Sequence, residues 1–498
     1  MVDWSSCLNR QYFRYMGLIN SKRIKLWSPR LYSAHQKLSK KKKPIYNENK
    51  IKQEDHMPCP GVIIGDCGSK SGLEGIDNGF LQFKNVKIPY DNLLDRFSQI
   101  ENGEFKTEIK NPDKRFGLQL GSLSGGRVII SLQACVNAIS ALTIGIRYAC
   151  IRQQFGLPGK PEYPIIEYPL VQYRLLTSLA KVIVMQVASL SLNMLWDDNQ
   201  LHLLDKKKNN LIEELHAKSS VVKAQASWMA AEIIQNCREI LGGHGYSSLN
   251  RLSQLYRDND INTTWEGDNT VLLQQTAKFL LDIVRQILKG QEILHKTAQF
   301  ITLQPVDEQK WSANDVSKFK QKNIIIEALE WRVNLLLQRS GLKLQENLQN
   351  QNTFDAWNDT QVFYLNNVSL AFGDLYQAQE FIEGINKIKD QNTIQVLDLV
   401  FELWALDIIQ KDQGTFRENN FINIEQTGQI KQRIIELLKL IKPEAVGLID
   451  VLAPPDHILG SPFGAYDGDI YNKYLGHIKG NKNTFQRVNW WKEIHDQE

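Results

Sequence analysis

The stretch that decides the fold runs from Leu241 to Leu281 and reads LGGHGYSSLNRLSQLYRDNDINTTWEGDNTVLLQQTAKFLL. It joins two helical patterns through a glycine-rich corner, an arginine-containing acidic segment, and one carboxylate beside a tryptophan. Gly242 and Gly243 end the first helix, because glycine adopts left-handed dihedrals without steric cost. The apolar residues before this corner recur at spacings of three, four and seven, which predicts one buried helix face: Val222, Ala226, Met229, Ile233 and Ile240.

The second helix is predicted to begin at Asp268 or Asn269, whose side-chain oxygens can accept hydrogen bonds from free N–H groups. Glu266 therefore lies just before a helix N-terminus, where the helix dipole favours its anion by roughly 0.3–1 kcal/mol. A dry apolar environment disfavours the same anion. Each unit by which it raises the pKa of the Glu266 carboxyl corresponds to about 1.4 kcal/mol. Two interpretations of Glu266 remain. It is either a general base, or a carboxylate without a chemical role that is exposed in a loop or makes a capping contact.

The motifs GGHGY and WEGDNTV, followed by an amphipathic helix, resemble those of the flavin-dependent acyl-CoA oxidases, relatives of the acyl-CoA dehydrogenases. The resemblance implies FAD as cofactor and a fatty acyl-CoA as substrate. It also implies that Glu266 is the base that removes the proton from the α-carbon of the thioester. On the same basis Arg127 and Gly267 are candidates for substrate binding.

Three further residues are candidates for cofactor binding. The run RQQFGLPG resembles the family segment whose arginine, here Arg152, approaches the flavin dinucleotide of a neighbouring subunit. A guanidinium suits a pyrophosphate because it offers paired donors. Gly242 and Gly243 allow a cofactor to approach the backbone, since they carry no Cβ. The alternative for Arg152 is a residue at a helix C-terminus, where the dipole favours a cation.

Composition limits the class of protein. A chain of 498 residues is too long for one compact core, so two or more domains are expected. The 42% hydrophobic and 23% charged residues are typical of a soluble globular protein, and a net charge of +4 is too small to indicate nucleic-acid binding. The six cysteines form no CxxC pair, so neither a metal site nor a disulfide framework is expected.

Helical patterns dominate the chain and predict a mainly α fold. Four long helices, typical of a four-helix bundle, are predicted at 122–155, 168–196, 219–241 and 269–290, within a domain at 115–292. The longest apolar run, Val182 to Leu195, carries polar residues and is too short for a membrane span. Amphipathic runs near 315–348, 355–389, 393–412 and 425–442 form a second helical domain at 305–490. This domain resembles one that oxidases have and the shorter dehydrogenases lack.

The first hundred residues differ from the rest. Residues 1–57 form a basic leader or linker, which fits either a mitochondrial presequence or a basic tail. Residues 58–100 resemble the end of the family's middle β-domain, with strands predicted at 62–64, 80–83 and 86–88. The family pattern has a helical domain and most of a β-domain before this point.

Three explanations for this difference remain open. The sequence belongs to a longer oxidase, or it pairs with a polypeptide that supplies the front half, or it is an inactive member that serves assembly. A homodimer and a peroxisomal location follow from the resemblance. The chain does not end in an SKL-type peroxisomal signal, and the basic leader leaves a mitochondrial location as the alternative.

Overall fold

The computed structural model describes residues 58, 60–89, 92, 98–112, 115, 123–204, 211–293, 295–313 and 315–495. They fall into two compact units, one ending at Leu120 and the other running from Gly121 to Glu498. The prediction of a mainly α chain with a small β segment is confirmed. The predicted leader at 1–57 lies outside the described residues. The limits proposed for the three other domains stay predictions.

The smaller unit contains two antiparallel hairpins. Strand β1 (Val62–Asp66) pairs with β2 (Gly79–Phe83), and β3 (Gln99–Glu101) pairs with β4 (Glu104–Lys106). The strand predicted at 86–88 is wrong, because this stretch has no regular structure. The chain leaves the hairpin directly after β2, where Asn85 adopts a left-handed φ of 52°.

The larger unit begins with the predicted bundle. Its helices are α1 (Leu123–Ile151), α2 (Pro169–Leu204), α3 (Leu211–Ile240), the short α4 (Leu252–Asp260) and α5 (Asn269–Leu288). The apolar face predicted for α3 is buried, as Val222, Ala226 and Ile233 are fully shielded from solvent. Helix α1 ends four residues before its predicted end, because Gln153 pairs with Pro164 in an antiparallel bridge.

Close contact between α1 and α3 positions the site described below. A Cβ at Gly145 of α1 would lie 2.9 Å from Cys237 Sγ of α3, so only glycine permits this separation. Helix α3 therefore presents its side chains directly to α1. Both helices also pack against α2, and α3 packs against α5.

The second helical section continues the same hydrophobic core. Its helices are α6 (Lys322–Asn350), α7 (Thr353–Thr360), α8 (Asn366–Ile385), α9 (Gln391–Lys411), α10 (Gln413–Glu418), α11 (Ile424–Ile441), α12 (Ala445–Asp450), α13 (Asp456–Leu459), α14 (Ile470–Gly480) and α15 (Trp491–His495). Helix α8 packs on α2, α3, α5 and α6, and α9 packs on α2 and α11.

Arg147 of α1 attaches the last part of the chain to the bundle. Its guanidinium pairs with Asp450 at 2.8 Å and with Asp456 at 3.2 Å, and it donates to the carbonyl of Gly464 at 2.7 Å. Because this guanidinium is buried, the contacts replace the water it gave up on folding.

Within the described part of the chain, two helices are long and apolar enough to cross a membrane by length and composition alone, at Leu123–Ile151 and Pro169–Gln200. In this fold 67% and 78% of their apolar windows are buried against other protein segments. Core helices of a bundle have the same composition, so these segments are weak evidence for a span.

Two buried thiols should make stability depend on alkaline pH. Burial raises the pKa of Cys135 and of Cys237 to about 12, against a reference value of 9.0. Between these values the folded chain keeps protons that the unfolded chain has released, so stability falls as pH rises. We expect each thiol to remove about 1 kcal/mol of unfolding free energy between pH 9 and pH 10. Urea unfolding would measure this loss, and a Cys135→Ala/Cys237→Ala variant with an unchanged pH slope would contradict it.

Candidate active site

The turn that carries Glu266 has an unusual backbone. Glu266 adopts a φ of 54° and Gly267 a φ of 118°, so two consecutive residues are left-handed. For a residue with a side chain this conformation costs roughly 1–2 kcal/mol and persists only where the surroundings enforce it. The predicted cap of the next helix is confirmed, since Asp268 accepts from the N–H groups of Thr270 at 3.0 Å and Val271 at 3.2 Å.

The half-buried side chain of Glu266 lies against the start of α1. A Cβ placed on Gly126 would be 2.6 Å from the Glu266 carboxyl carbon and within 2.8 Å of both carboxylate oxygens. Any side chain at position 126 would therefore collide with this carboxylate. The sequence showed the glycine but gave no signal that a residue 140 positions later would occupy the space beside it.

Arg127 is a buried residue that contacts the Glu266 turn. Its Nε donates to the carbonyl oxygen of Glu266 at 3.0 Å, and its Nη1 lies 3.1 Å from His216 Nδ1 and 3.5 Å from Ser220 Oγ. Burial lowers the pKa of Arg127, and the nearby charge of Glu266 opposes that shift. Contact with substrate therefore stays a prediction, and the contacts present here are with the turn and with α3.

Lys223 of α3 is a second buried cation at the turn, and the sequence analysis missed it. No part of its side chain is exposed, and its Nζ donates to the Gly267 carbonyl at 2.7 Å and to Asn269 Oδ1 at 2.9 Å. Its pKa is lowered to about 8, chiefly by burial and also by the charge of Arg127, against the opposing effect of Asp268 and Glu266. An isolated lysine within a helical pattern gives no sequence signal of such a position.

Buried asparagines connect the same region. Asn269 Nδ2 donates to Ser227 Oγ at 2.9 Å and to the Ala224 carbonyl at 3.3 Å, which ties the start of α5 to α3. Trp265 Nε1 donates to Asn262 Oδ1 at 2.8 Å, and Asn262 Nδ2 donates to Asn259 Oδ1 at 3.2 Å. The two sides of the Glu266 turn are thus held by hydrogen bonds in the protein interior.

The predicted cofactor residues lie together at the other end of α1. Tyr148 Oη is 2.8 Å from His244 Nδ1 and donates to the Leu241 carbonyl at 3.3 Å. Arg152, which follows α1, lowers the pKa of His244 through its charge, although burial lowers it more. Gly242 and Gly243 are exposed, and a Cβ on either would meet no atom within 4 Å. An open surface beside a guanidinium fits a pyrophosphate.

Arg152 donates to two side chains at this surface. Its Nη2 donates to Gln154 Oε1 at 2.7 Å, and its Nη1 donates to Tyr471 Oη at 3.4 Å. Only the first is a short contact, so the guanidinium keeps donors for a ligand. Tyr246, next along the glycine corner, is 96% exposed.

The candidate residues therefore form two groups rather than one. Glu266, Gly267 and Arg127 lie near the start of α1, whereas Arg152, Gly242 and Gly243 lie near its end. The 24 residues from Arg127 to Ile151 correspond to about 36 Å of helix. One chain thus presents two candidate half-sites, the Glu266 group and the Arg152 group, at opposite ends of α1.

This arrangement, an α-helical bundle with a carboxylate at one corner and an open glycine corner at the other, has counterparts among known proteins. A model described as "Acyl-CoA oxidase, C-alpha1 domain" matches residues 120–281, and one described as "Acyl-CoA oxidase" matches residues 321–497. Human peroxisomal acyl-coenzyme A oxidase 3 is 35% identical over 450 residues, covering 88% of this chain and 64% of the human protein. The chain belongs to the acyl-CoA oxidase family.

Solved structures agree in fold. Acyl-CoA oxidase 3 from Yarrowia lipolytica has a TM-score of 0.80 at 29% identity, covering 89% of this chain and 64% of that one. Acyl-CoA oxidase-1 from Caenorhabditis elegans, solved in complex with FAD and ATP, shares the fold with a TM-score of 0.79 at 24% identity, covering 89% and 66%. The chain spans less than two thirds of the length of these relatives.

Proposed function

We propose that this chain supplies the catalytic base of an FAD-dependent acyl-CoA oxidase, which converts a fatty acyl-CoA to a trans-2-enoyl-CoA with formation of hydrogen peroxide. The observation that carries the proposal is the Glu266 carboxylate, held over Gly126 by a left-handed turn. A strained turn that buried groups enforce is a common feature of sites where one side chain must be aimed.

In the proposed reaction the Glu266 carboxylate takes the α-proton of the thioester. The electron pair of the broken C–H bond forms the new C=C bond as the β-carbon loses a hydride. Arg152, Gly242 and Gly243 would hold FAD, which would supply the hydride acceptor and, on reoxidation by oxygen, would give hydrogen peroxide. Positioned bases of this kind contribute about 10²- to 10⁴-fold to rate.

The α-proton is weakly acidic, so negative charge on the thioester oxygen must be stabilised as it develops. Among the described residues, the backbone N–H groups of Glu266 and Gly267 donate to no protein acceptor. Both belong to the turn that carries the base, so either can donate to a thioester oxygen beside the carboxylate. This supports the proposed substrate contact of Gly267.

The face of α1 beside Glu266 suits an acyl chain. Gly126, Ile129 and Val136 lie on one face of the helix, since their positions differ by three and seven residues. Ile129 is 62% exposed and Val136 is 55% exposed, although both are aliphatic. This apolar stripe starts at the base and extends about 15 Å along the helix.

The two half-sites favour a site shared between chains. Arg152 lies about 36 Å along α1 from the base, which is farther than one flavin dinucleotide reaches. We therefore propose that the Arg152 half-site of one copy serves the Glu266 half-site of another, in a homodimer or with a partner chain that completes the site. The exposed Tyr246 and open Gly242 and Gly243 support such a contact.

The location proposed for this oxidase is the peroxisome, following the name of the human relative. Fatty acyl-CoA oxidation releases hydrogen peroxide, which fits a compartment specialised for oxidative chemistry. The mitochondrial alternative rested only on the composition of residues 1–57, which lie outside the described part of the chain.

Colour and peroxide release test the proposal together. Purified protein incubated with FAD should keep a yellow flavin spectrum after gel filtration and should release peroxide from a fatty acyl-CoA. Arg152→Gln should weaken flavin retention, because it removes the guanidinium. Arg339→Gln is the matched control, since Arg339 pairs with Glu418 on the outer helices. Folded protein that stays colourless with added FAD and releases no peroxide would instead support an inactive assembly subunit.

A further inference from the structure

Lys223 is a buried charge that no carboxylate among the described residues contacts directly. Its two acceptors, the Gly267 carbonyl and the Asn269 amide oxygen, are neutral. Burying an ammonium is costly unless it is fully bonded, and buried lysines in proteins are usually paired with a carboxylate. Lys218, on the same helix, shows that usual arrangement, because it pairs with Glu214 at 2.7 Å.

The ammonium of Lys223 acts on the backbone of the turn that carries Glu266. Arg127 of α1 donates to the carbonyl of Glu266, and Lys223 of α3 donates to the carbonyl of Gly267. Two cations from two helices thus hold consecutive carbonyls of the same turn. The peptide planes before and after Gly267 are therefore held, which restrains the backbone on the C-terminal side of Glu266 and with it the direction of the Glu266 side chain.

We infer that Lys223 is a positioning residue for the Glu266 base: together with Arg127 it clamps the Glu266–Gly267 turn and keeps the carboxylate over Gly126. The inference rests on the proposed role of Glu266 and adds a residue that acts on that base through the backbone. Lys223 itself does not contact the reacting atoms. Its ammonium contributes two directed hydrogen bonds that no neutral side chain of similar length can replace.

The charge state of the clamp gives it a pH signature. Burial brings the pKa of Lys223 to about 8. The charged groups that face it are Arg127 on α1 and Glu266 and Asp268 on the turn, while His216 contacts Arg127 from α3. Near neutral pH the ammonium is present, and above about pH 8 it loses its charge. The hold on the Gly267 carbonyl then weakens, because an amine is a poorer donor than an ammonium.

Three variants test the clamp in the full chain. Lys223→Met removes the charge at similar length, Lys223→Arg keeps a cation at every accessible pH, and Lys218→Met removes an equally buried lysine that does not touch the turn. The first readout is amide hydrogen exchange of residues 262–270, corrected for the intrinsic effect of pH. The second readout is the effect on kcat and KM for acyl-CoA oxidation.

The clamp predicts that Lys223→Met speeds exchange in 262–270 and lowers kcat roughly ten- to hundred-fold with little change in KM, because a misaimed base costs rate more than binding. Lys218→Met should lower the unfolding midpoint but leave exchange in this segment unchanged. Wild-type exchange in the segment should accelerate as pH passes about 8, and Lys223→Arg should not show that step.

Failure of the clamp and failure of the proposed catalytic base would give different results. Wild-type exchange and wild-type kcat in Lys223→Met, together with no step near pH 8 in the wild-type chain, would overturn the clamp. Retained turnover in a Glu266 variant would overturn the proposed base. In that case the exchange experiment still decides whether Lys223 holds the turn, because it needs neither flavin nor substrate.

Discussion

Glu266→Gln is expected to lower the rate of acyl-CoA oxidation by about 10²- to 10⁴-fold while flavin content stays at the wild-type level. Glutamine has the same shape as glutamate but cannot accept the α-proton. The backbone strain at position 266 is the same for both residues, and the Arg127 contact is made to the backbone carbonyl. Stability should therefore change little, and the loss should appear in kcat.

The measurement is peroxide release with saturating acyl-CoA, combined with the flavin spectrum and thermal unfolding of the same preparation. Glu330→Gln is the matched control, because Glu330 is also half-buried, on α6 of the second helical section, and burial raises its pKa. It should retain wild-type turnover. If Glu266→Gln keeps its turnover, the carboxylate over Gly126 is not the base.

The sequence predicted those parts of the structure that depend on local pattern. The spacing of Val222, Ala226 and Ile233 predicted the buried face of α3, and Asp268 predicted the start of α5. Both signals come from residues within one helix or its first turn. Periodicity and capping act over a few residues, so they can be recognised without knowledge of the tertiary fold.

The contacts that aim Glu266 could not be predicted in this way. Arg127 and Glu266 are 139 residues apart, and Lys223 and Gly267 are 44 apart, so no local pattern joins them. The family resemblance pointed to Arg127 and Gly267, but it assigned them to substrate. It gave no role to Gly126 or Lys223, because their importance lies in a packing arrangement rather than in a motif.

The separation of the two half-sites is a second result of tertiary structure. Glu266 and Gly242 are only 24 residues apart in the sequence, and this spacing gives no indication that they lie at opposite ends of the bundle. The structure places them with residues from opposite ends of α1, because α4 and its flanking turns carry the chain from one end of the bundle to the other. The proposal that a second copy contributes to the site rests on this geometry as well as on the resemblance that points to Arg152.

Gly126→Ala is expected to lower turnover by about 10²-fold, because its methyl group would lie 2.6 Å from the Glu266 carboxyl carbon. The carboxylate must move, and a displacement of about 1 Å in a reacting group has an effect of this size. Flavin retention should not change, since Arg152, Gly242 and Gly243, the residues proposed to hold the flavin, are unaltered in this variant. The loss should be found in kcat measured with saturating acyl-CoA.

The unfolding free energy of Gly126→Ala should separate a misplaced carboxylate from general destabilisation of the fold. Alanine is a better helix former than glycine by about 0.8–1 kcal/mol, and position 126 is in the first turn of α1. The variant should therefore keep or raise its unfolding free energy while it loses activity. Gly341→Ala on α6 is the matched control, because a Cβ there meets no atom within 4 Å, and it should gain stability without losing turnover. Wild-type kcat in Gly126→Ala would mean that the carboxylate has room to move without leaving its productive position, and the contact with α1 would then not aim the base.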